Sequence, residues 1–146
     1  MQHTQRNMMK SAIVAYTVRL NPGDDLVPTL LKHAAEHQLA AASVLTCVGS
    51  LTECRLRLAG AKDFLALEED LEIVSLVGTL SSSGGFHLHA ALSRTDGSVI
   101  GGHVKGRAVI ATTAEVVLAV LPELRFSREP DAATGYDELV VRRSRL

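Results

Sequence analysis

Tryptophan is absent from this chain, and there are only two tyrosines and three phenylalanines. A core built on large aromatic rings is therefore excluded, and Leu, Val, Ile and Ala must supply the buried surface. Cysteine is scarce as well. Cys47 and Cys54 are the only two, too few for a disulfide framework, and they read as reduced structural thiols of an intracellular protein. Neither sign of charge dominates: 15 Lys and Arg against 16 Asp and Glu leave a net charge of −1. Binding nucleic acid through its phosphates needs a basic face, so direct nucleic-acid binding is not expected. No run crosses a bilayer, because the longest apolar stretch, Ala108 to Leu121, is broken by Thr112, Thr113 and Glu115. Residues 1–11 are polar and lack the apolar segment of a secretory signal. A phosphate-binding glycine loop with lysine, a dinucleotide fingerprint, internal repeats and linkers are all missing.

What is there reads as one ordinary globular domain of 146 residues, 47% hydrophobic and 21% charged. A chain of this size buries about two-thirds of its unfolded surface on folding. The expected organisation is a flexible leader over 1–11, a domain over 12–142 and a basic tail over 143–146. Arg142, Arg143 and Arg145 form the one positive cluster, read as a solvated terminus. The expected location is the cytoplasm, without membrane contact.

The pattern opens with a strand, Ala12–Leu20, ending at Asn21-Pro22-Gly23. Asp24 or Asp25 offers an N-cap, and Pro28 is tolerated in the first helical turn. Leu26, Val27, Leu30, Leu31 and Ala34 then recur at helical spacing to about Gln38, the one long helical pattern. Beyond it the period becomes that of strands. Ser43–Val48 is a buried-type run that stops at Gly49-Ser50, and Cys54, Leu56 and Leu58 alternate with Arg55 and Arg57. Leu71–Leu80 and Val109–Val120 are rich in β-branched residues and predict long central strands. Leu124–Tyr136, with Pro130 and Gly135, reads as a surface loop, and Glu138–Val141 as a last short strand. One strand, one helix and then a series of strands predict an α+β domain, a central mostly antiparallel sheet with one main flanking helix.

The chemistry is concentrated in Gly84-Gly85-Phe86-His87-Leu88-His89 and in Gly101-Gly102-His103. On a strand, His87 and His89 point to one face. Whether His103 joins them depends on the hairpin around Asp96-Gly97. A two-residue loop sends His103 to the face opposite His89. A three-residue loop, Thr95-Asp96-Gly97, sets Leu92 against Ile100, Leu88 against Val104 and Ala90 against Gly102, so that one side is wholly apolar. The second register is preferred, and it places His89 directly across from His103. Opposed Cβ atoms lie about 4.5–5.5 Å apart, close enough for imidazoles to share one ion at about 2.0–2.1 Å. His87, His89 and His103 thus predict a three-histidine cradle with a fourth position open, most suited to Zn, with Ni, Cu or Fe allowed by ligand type. The glycines at 84, 85, 101 and 102 admit close approach of backbone or ligand. Two other readings stay open: hydrogen bonding across a polar subunit interface, and binding of a small anion by protonated imidazoles.

Other residues carry less. His33 and His37 stand i,i+4 on the helix, a potential metal pair on a face read as solvated. His3 lies in the leader. Glu115, alone in an apolar strand, reads as a buried carboxylate paired with Arg57 or Arg19, or as a general base. Ser50, Arg57 and Glu115 are the supporting candidates beside the cradle. Ser50 and Cys47 have no base next to them in the sequence, so nothing in the pattern supports nucleophilic catalysis.

Several segments together resemble the PPC domain, the "plants and prokaryotes conserved" domain. They are Tyr16–Leu20 with Pro22-Gly23-Asp24-Asp25-Leu26, Gly49-Ser50-Leu51 with Leu56-Arg57, and Leu71–Leu80. Phe86–Ala90, Asp96-Gly97, Gly101–His103 and Thr112–Val117 complete the set, in the family's order across roughly residues 12–142. The resemblance implies a homotrimer with the histidine-bearing strands near a subunit boundary, and a free-standing, prokaryote-type member. Two roles are expected: action on a small polar molecule at a metal site, which the histidine face suggests, or a non-catalytic module that scaffolds protein partners, which the resemblance implies. The plant members' Arg-Gly-Arg-Pro AT-hook is not found, since Gly106-Arg107 is followed by Ala108. The plant Gly-Arg-Phe is replaced by Glu69-Asp70-Leu71. Both departures weigh against the plant-type DNA-associated role.

Overall fold

The computed structural model describes residues 8–144; His3, Arg145 and most of the expected leader lie outside them. Nine elements follow one another. They are β1 (Val14–Leu20), α1 (Leu26–Glu36), β2 (Ala42–Arg57), β3 (Phe64–Leu67), β4 (Leu71–Leu80), β5 (Phe86–Ser93), β6 (Val99–Val120), β7 (Leu124–Asp131) and β8 (Tyr136–Arg143). Every strand pairing is antiparallel, and six strands form one sheet in the order β1-β6-β5-β4-β2-β3. A further pairing of β6 with β2 closes β2, β4, β5 and β6 into a ring. The fold is therefore a strand-rich, barrel-like antiparallel sheet with one helix, and the closure is what the expected sheet and flanking helix do not include.

Two long strands produce the closure. The pairing of β2 with β6 runs from Ala42 opposite Val120 to Arg57 opposite His103. Register shifts between Val44 and Thr46, and at three points from Gly49 to Leu56, bend the pair. Bulges of this kind raise local twist and let a sheet curl onto itself. Gly49-Ser50 is thus no stop: the strand continues through it, and the expected Ser43–Val48 run alternates, with Leu45 and Val48 exposed. Likewise Gly101–His103 and Val109–Val120 belong to one 22-residue strand.

The core is aliphatic, as the shortage of aromatics requires. Leu51, Leu56, Leu80, Leu88, Leu92, Val104, Ile110 and Leu118 of the ring strands are buried, with Leu20 of β1 and Leu26 and Leu30 of the helix in the same cluster. Cys47 and Cys54 are buried free thiols within it. Asp25 occupies the cap position of α1, but its side chain makes no bond to the helix. Its Oδ1 instead accepts from the Ala108 N–H at 3.1 Å, while Asp24 Oδ2 accepts from Asn21 N–H at 2.8 Å. The carboxylates expected to start the helix fasten it to β6 and close the preceding turn.

The segment Leu124–Tyr136 is a hairpin arm, not a loop. β7 and β8 pair along eight residues each, Leu124 opposite Arg143 through Asp131 opposite Tyr136. Pro130 stands next to the turn of this two-stranded ribbon, where a missing N–H costs little. Arg142 and Arg143 of the basic cluster belong to β8: Arg142 ion-pairs with Glu129, and Arg143 donates to the carbonyl of Lys10. Ser11 and the Ala12 N–H bond the carboxylate of Glu123, tying down the end of the expected leader. No helix among the described residues is long and apolar enough to cross a membrane.

Candidate metal centre

The β5–β6 hairpin has the register of the three-residue loop. His89 faces His103, Ala90 faces Gly102 and Leu92 faces Ile100. Arg94 N–H bonds Ser98 O, and Gly97 holds φ +82°, the left-handed residue that this loop needs. Leu88, Ala90, Leu92 and Val104 are buried, so His87, His89 and His103 are turned to the outside of the ring.

Their rings form a triangle, with centroids 4.9 Å apart for His87 and His89, 5.0 Å for His87 and His103, and 5.5 Å for His89 and His103. One nitrogen from each lies within 4.8 Å of the other two. The Nε2 atoms of His87 and His89 are 3.1 Å apart; two ligands of one tetrahedral Zn at about 2.05 Å stand about 3.3 Å apart. The Nδ1 of His103 is buried without a hydrogen-bond partner. A buried polar atom left unsatisfied is costly unless something outside the chain satisfies it. The donor set, three imidazoles with one orphaned nitrogen, fits a divalent transition metal, which His87, His89 and His103 would hold. Bound there, such an ion would act as a Lewis acid and lower the pKa of a coordinated water.

The electrostatics favour the neutral form that a metal needs. Burial pushes the His103 imidazole down to about 4, helped by His87, Arg57, His89 and Lys105. Burial also lowers His87, with further lowering from Arg128, His89 and Arg57 and an opposing influence from Glu138.

Beside the histidines lies a cleft of about 540 Å³. Arg57, directly opposite His103 on β2, lines it with His87 and His103. Lys105 of β6, Arg128 of β7 and Glu138 of β8 complete it. Sequence reasoning finds Arg57 but misses the others: Arg128 falls in the segment expected to be a loop, and nothing in the pattern brings Lys105 or Glu138 to the histidines.

The remaining candidates lie elsewhere in the chain. Ser50 lines a separate cleft of about 440 Å³ with Glu72, Arg94 and Thr112, and its Oγ accepts from the Thr112 N–H at 3.3 Å. Glu115 is exposed. It stands opposite Arg19 of β1 and Val48 of β2, without an ion pair among the described residues. The expectation of a buried, charge-paired carboxylate is therefore corrected: strand alternation turns Val116 inward and Glu115 out. On α1, His33, Glu36 and His37 also bring ligand atoms within 4.8 Å of one another, and Tyr16 packs 5.0 Å from the ring of His37.

Residues 9–122 match the model of the Plants and Prokaryotes Conserved (PCC) domain. The chain belongs to this family. Among curated relatives it is 47% identical over 126 residues, 86% of its length, to the bifunctional protein GlmU of Synechococcus sp. (strain JA-3-3Ab). The chain spans about a fifth of that relative, 20% of its length. Among solved structures, a hypothetical protein from Salmonella cholerae-suis aligns at TM-score 0.90 with 39% identity, over 94% of this chain and 99% of that one. A metal-containing protein from Archaeoglobus fulgidus aligns at TM-score 0.78 with 25% identity, over 92% and 99%. A putative DNA-binding protein from Bacteroides thetaiotaomicron aligns at TM-score 0.76 with 26% identity, over 92% and 98%.

Proposed function

We propose that this chain, with its PCC domain spanning residues 12–142, is a metal-binding protein. His87, His89 and His103 hold one divalent ion of the Zn type and leave a coordination position for a small polar molecule. The observation that carries the reading is the convergence of three imidazole nitrogens, one from each histidine, within 4.8 Å of one another. The related Archaeoglobus protein described as metal-containing supports it. Elemental mass spectrometry on untagged protein, purified without chelator, tests it. About one metal per chain in the wild type, lost in His89→Ala, is the expected result; no metal in either defeats the reading.

A second reading, an assembling module that works through partners, is favoured by one feature of the same flank. Leu45 and Val48 of β2 and Val74 and Val77 of β4 are exposed by 55–57%, on neighbouring strands, and Val77 stands opposite His89. Contiguous exposed apolar side chains mark contact surfaces. In the proposed homotrimer this strip meets a second copy, which puts the histidines close to the boundary. Direct DNA binding is not part of either reading, since the net charge is −1, although the Bacteroides relative is described as a putative DNA-binding protein. A gel shift at low salt, where weak phosphate contacts are strongest, is expected to show no complex.

A further inference from the structure

We propose that the cleft beside the three histidines binds a small organic anion through its carboxylate or phosphate, gripped by Arg57, Lys105 and Arg128. The inference deepens the metal-site reading and rests on it for the place of the ligand's reactive end.

Three cationic side chains reach one cleft from three separate elements, β2, β6 and β7. Among the described residues none of the three forms an ion pair, whereas Arg55, Arg94, Arg107 and Arg142 each have a carboxylate partner. Asp137 and Glu138 of β8 line the same cleft with Tyr136, yet neither is paired with these cations. Charges gathered without partners in a concave site attract a ligand of opposite sign.

Arg128 is held ready for this work. Its Nη2 donates to Thr79 Oγ1 at 3.0 Å, leaving the remaining guanidinium N–H groups for another acceptor. Its stem lies against Gly85, where an added Cβ would stand 3.1 Å from Arg128 Cγ. A planar guanidinium matches carboxylate and phosphate oxygens in pairs, and a fixed one spends little entropy in binding them. Lys105 and Arg57 flank His103, so an anion held by them lies next to the proposed metal position. The acidic wall suits a ligand whose other end carries hydroxyl or amino donors, and a cleft of about 540 Å³ has the size of a small-molecule site.

The test is calorimetric titration with inorganic phosphate and with malonate, on wild type, Arg128→Gln and Arg57→Gln, with metal content measured on the same samples. At least one probe is expected to bind the wild type. Each Gln variant is expected to lose about tenfold or more in affinity, the scale of a charge-assisted bond, at unchanged metal content and melting temperature. Equal affinity in wild type and both variants, or no binding of either probe, overturns the proposal. Arginine-dependent binding in protein that carries no metal upholds the anion site while defeating the metal reading. A full complement of metal with arginine-independent binding does the reverse. A short DNA duplex serves as the third probe: binding that depends on these arginines would assign the anion to nucleic acid and overturn the small-molecule proposal.

Discussion

Gly78 of β4 lies against the backbone of His87: a Cβ added to it would stand 1.9 Å from the His87 carbonyl oxygen, and its φ is +134°. β4 and β5 approach closely at this point, with Gly78 opposite Leu88, and only a residue without a side chain allows it. The spacing of β5 against β4, and with it the aim of His87, depends on a residue that carries no chemistry.

Gly78→Ala is therefore expected to destabilise the fold and disturb the histidine triangle together. The obstacle is backbone, which cannot swing aside as a side chain can. A loss of about 1–3 kcal/mol, seen as a fall of several degrees in Tm, should accompany reduced metal content. A Tm and metal content equal to wild type would show that β4 can back away from β5 freely.

The depressed His103 imidazole predicts how the metal-free protein responds to acid. Its value falls from an ordinary 6.5 to about 4 in the folded state, so the unfolded chain binds the extra proton first. The stability this group contributes is present above pH 6.5, and it is lost as pH falls from 6.5 toward about 4. Urea unfolding of chelator-treated protein across that range should show the decline, and His103→Ala should flatten it. The same slope in both proteins would place its origin elsewhere.

Burial pushes the Cys47 thiol up to about 11 and the Cys54 thiol up to about 12, the latter with help from Asp25 and Glu53. Thiolate is the reactive form, so both should resist a thiol reagent at neutral pH and react only on unfolding. Absorbance assays in native buffer and in denaturant check this. Rapid reaction of either cysteine in the native protein would contradict the packed environment described.

The exposed apolar strip predicts the behaviour of a charged variant. In the proposed homotrimer, Val74→Asp should lower the sedimenting mass toward that of a single chain without lowering the helix and strand signal in circular dichroism, because Val74 is 57% exposed. An unchanged assembly would remove this face from the interface.

Legibility in the sequence followed local pattern. The β5–β6 register, and thus the meeting of His89 with His103, could be read because only one pairing puts Leu88, Leu92 and Val104 on the same side. β4 was bounded by residues of clear strand character and emerged as Leu71–Leu80. The ring closure was not legible, because it depends on register shifts along β2, which no periodicity announces. Glu115 misled because both faces of β6 carry valines, one set buried and one not. Pro130 and Gly135 suggest a loop where they shape the end of a ribbon, and Arg128 of the cleft is missed with it.

The ring of β2, β4, β5 and β6 has a further consequence for how copies of this chain can meet. His89 is paired with β4 on one side and β6 on the other, and His103 with β5 and β2, so the backbone at these two histidines offers no free edge to another molecule. Open edges are left to β1, to β3 and to the β7–β8 ribbon, and Phe86–Leu88 of β5 has no partner on β6. A partner arriving at His89 and His103 must recognise side chains, and an association of that kind can form or dissolve without the strands at these imidazoles being unzipped.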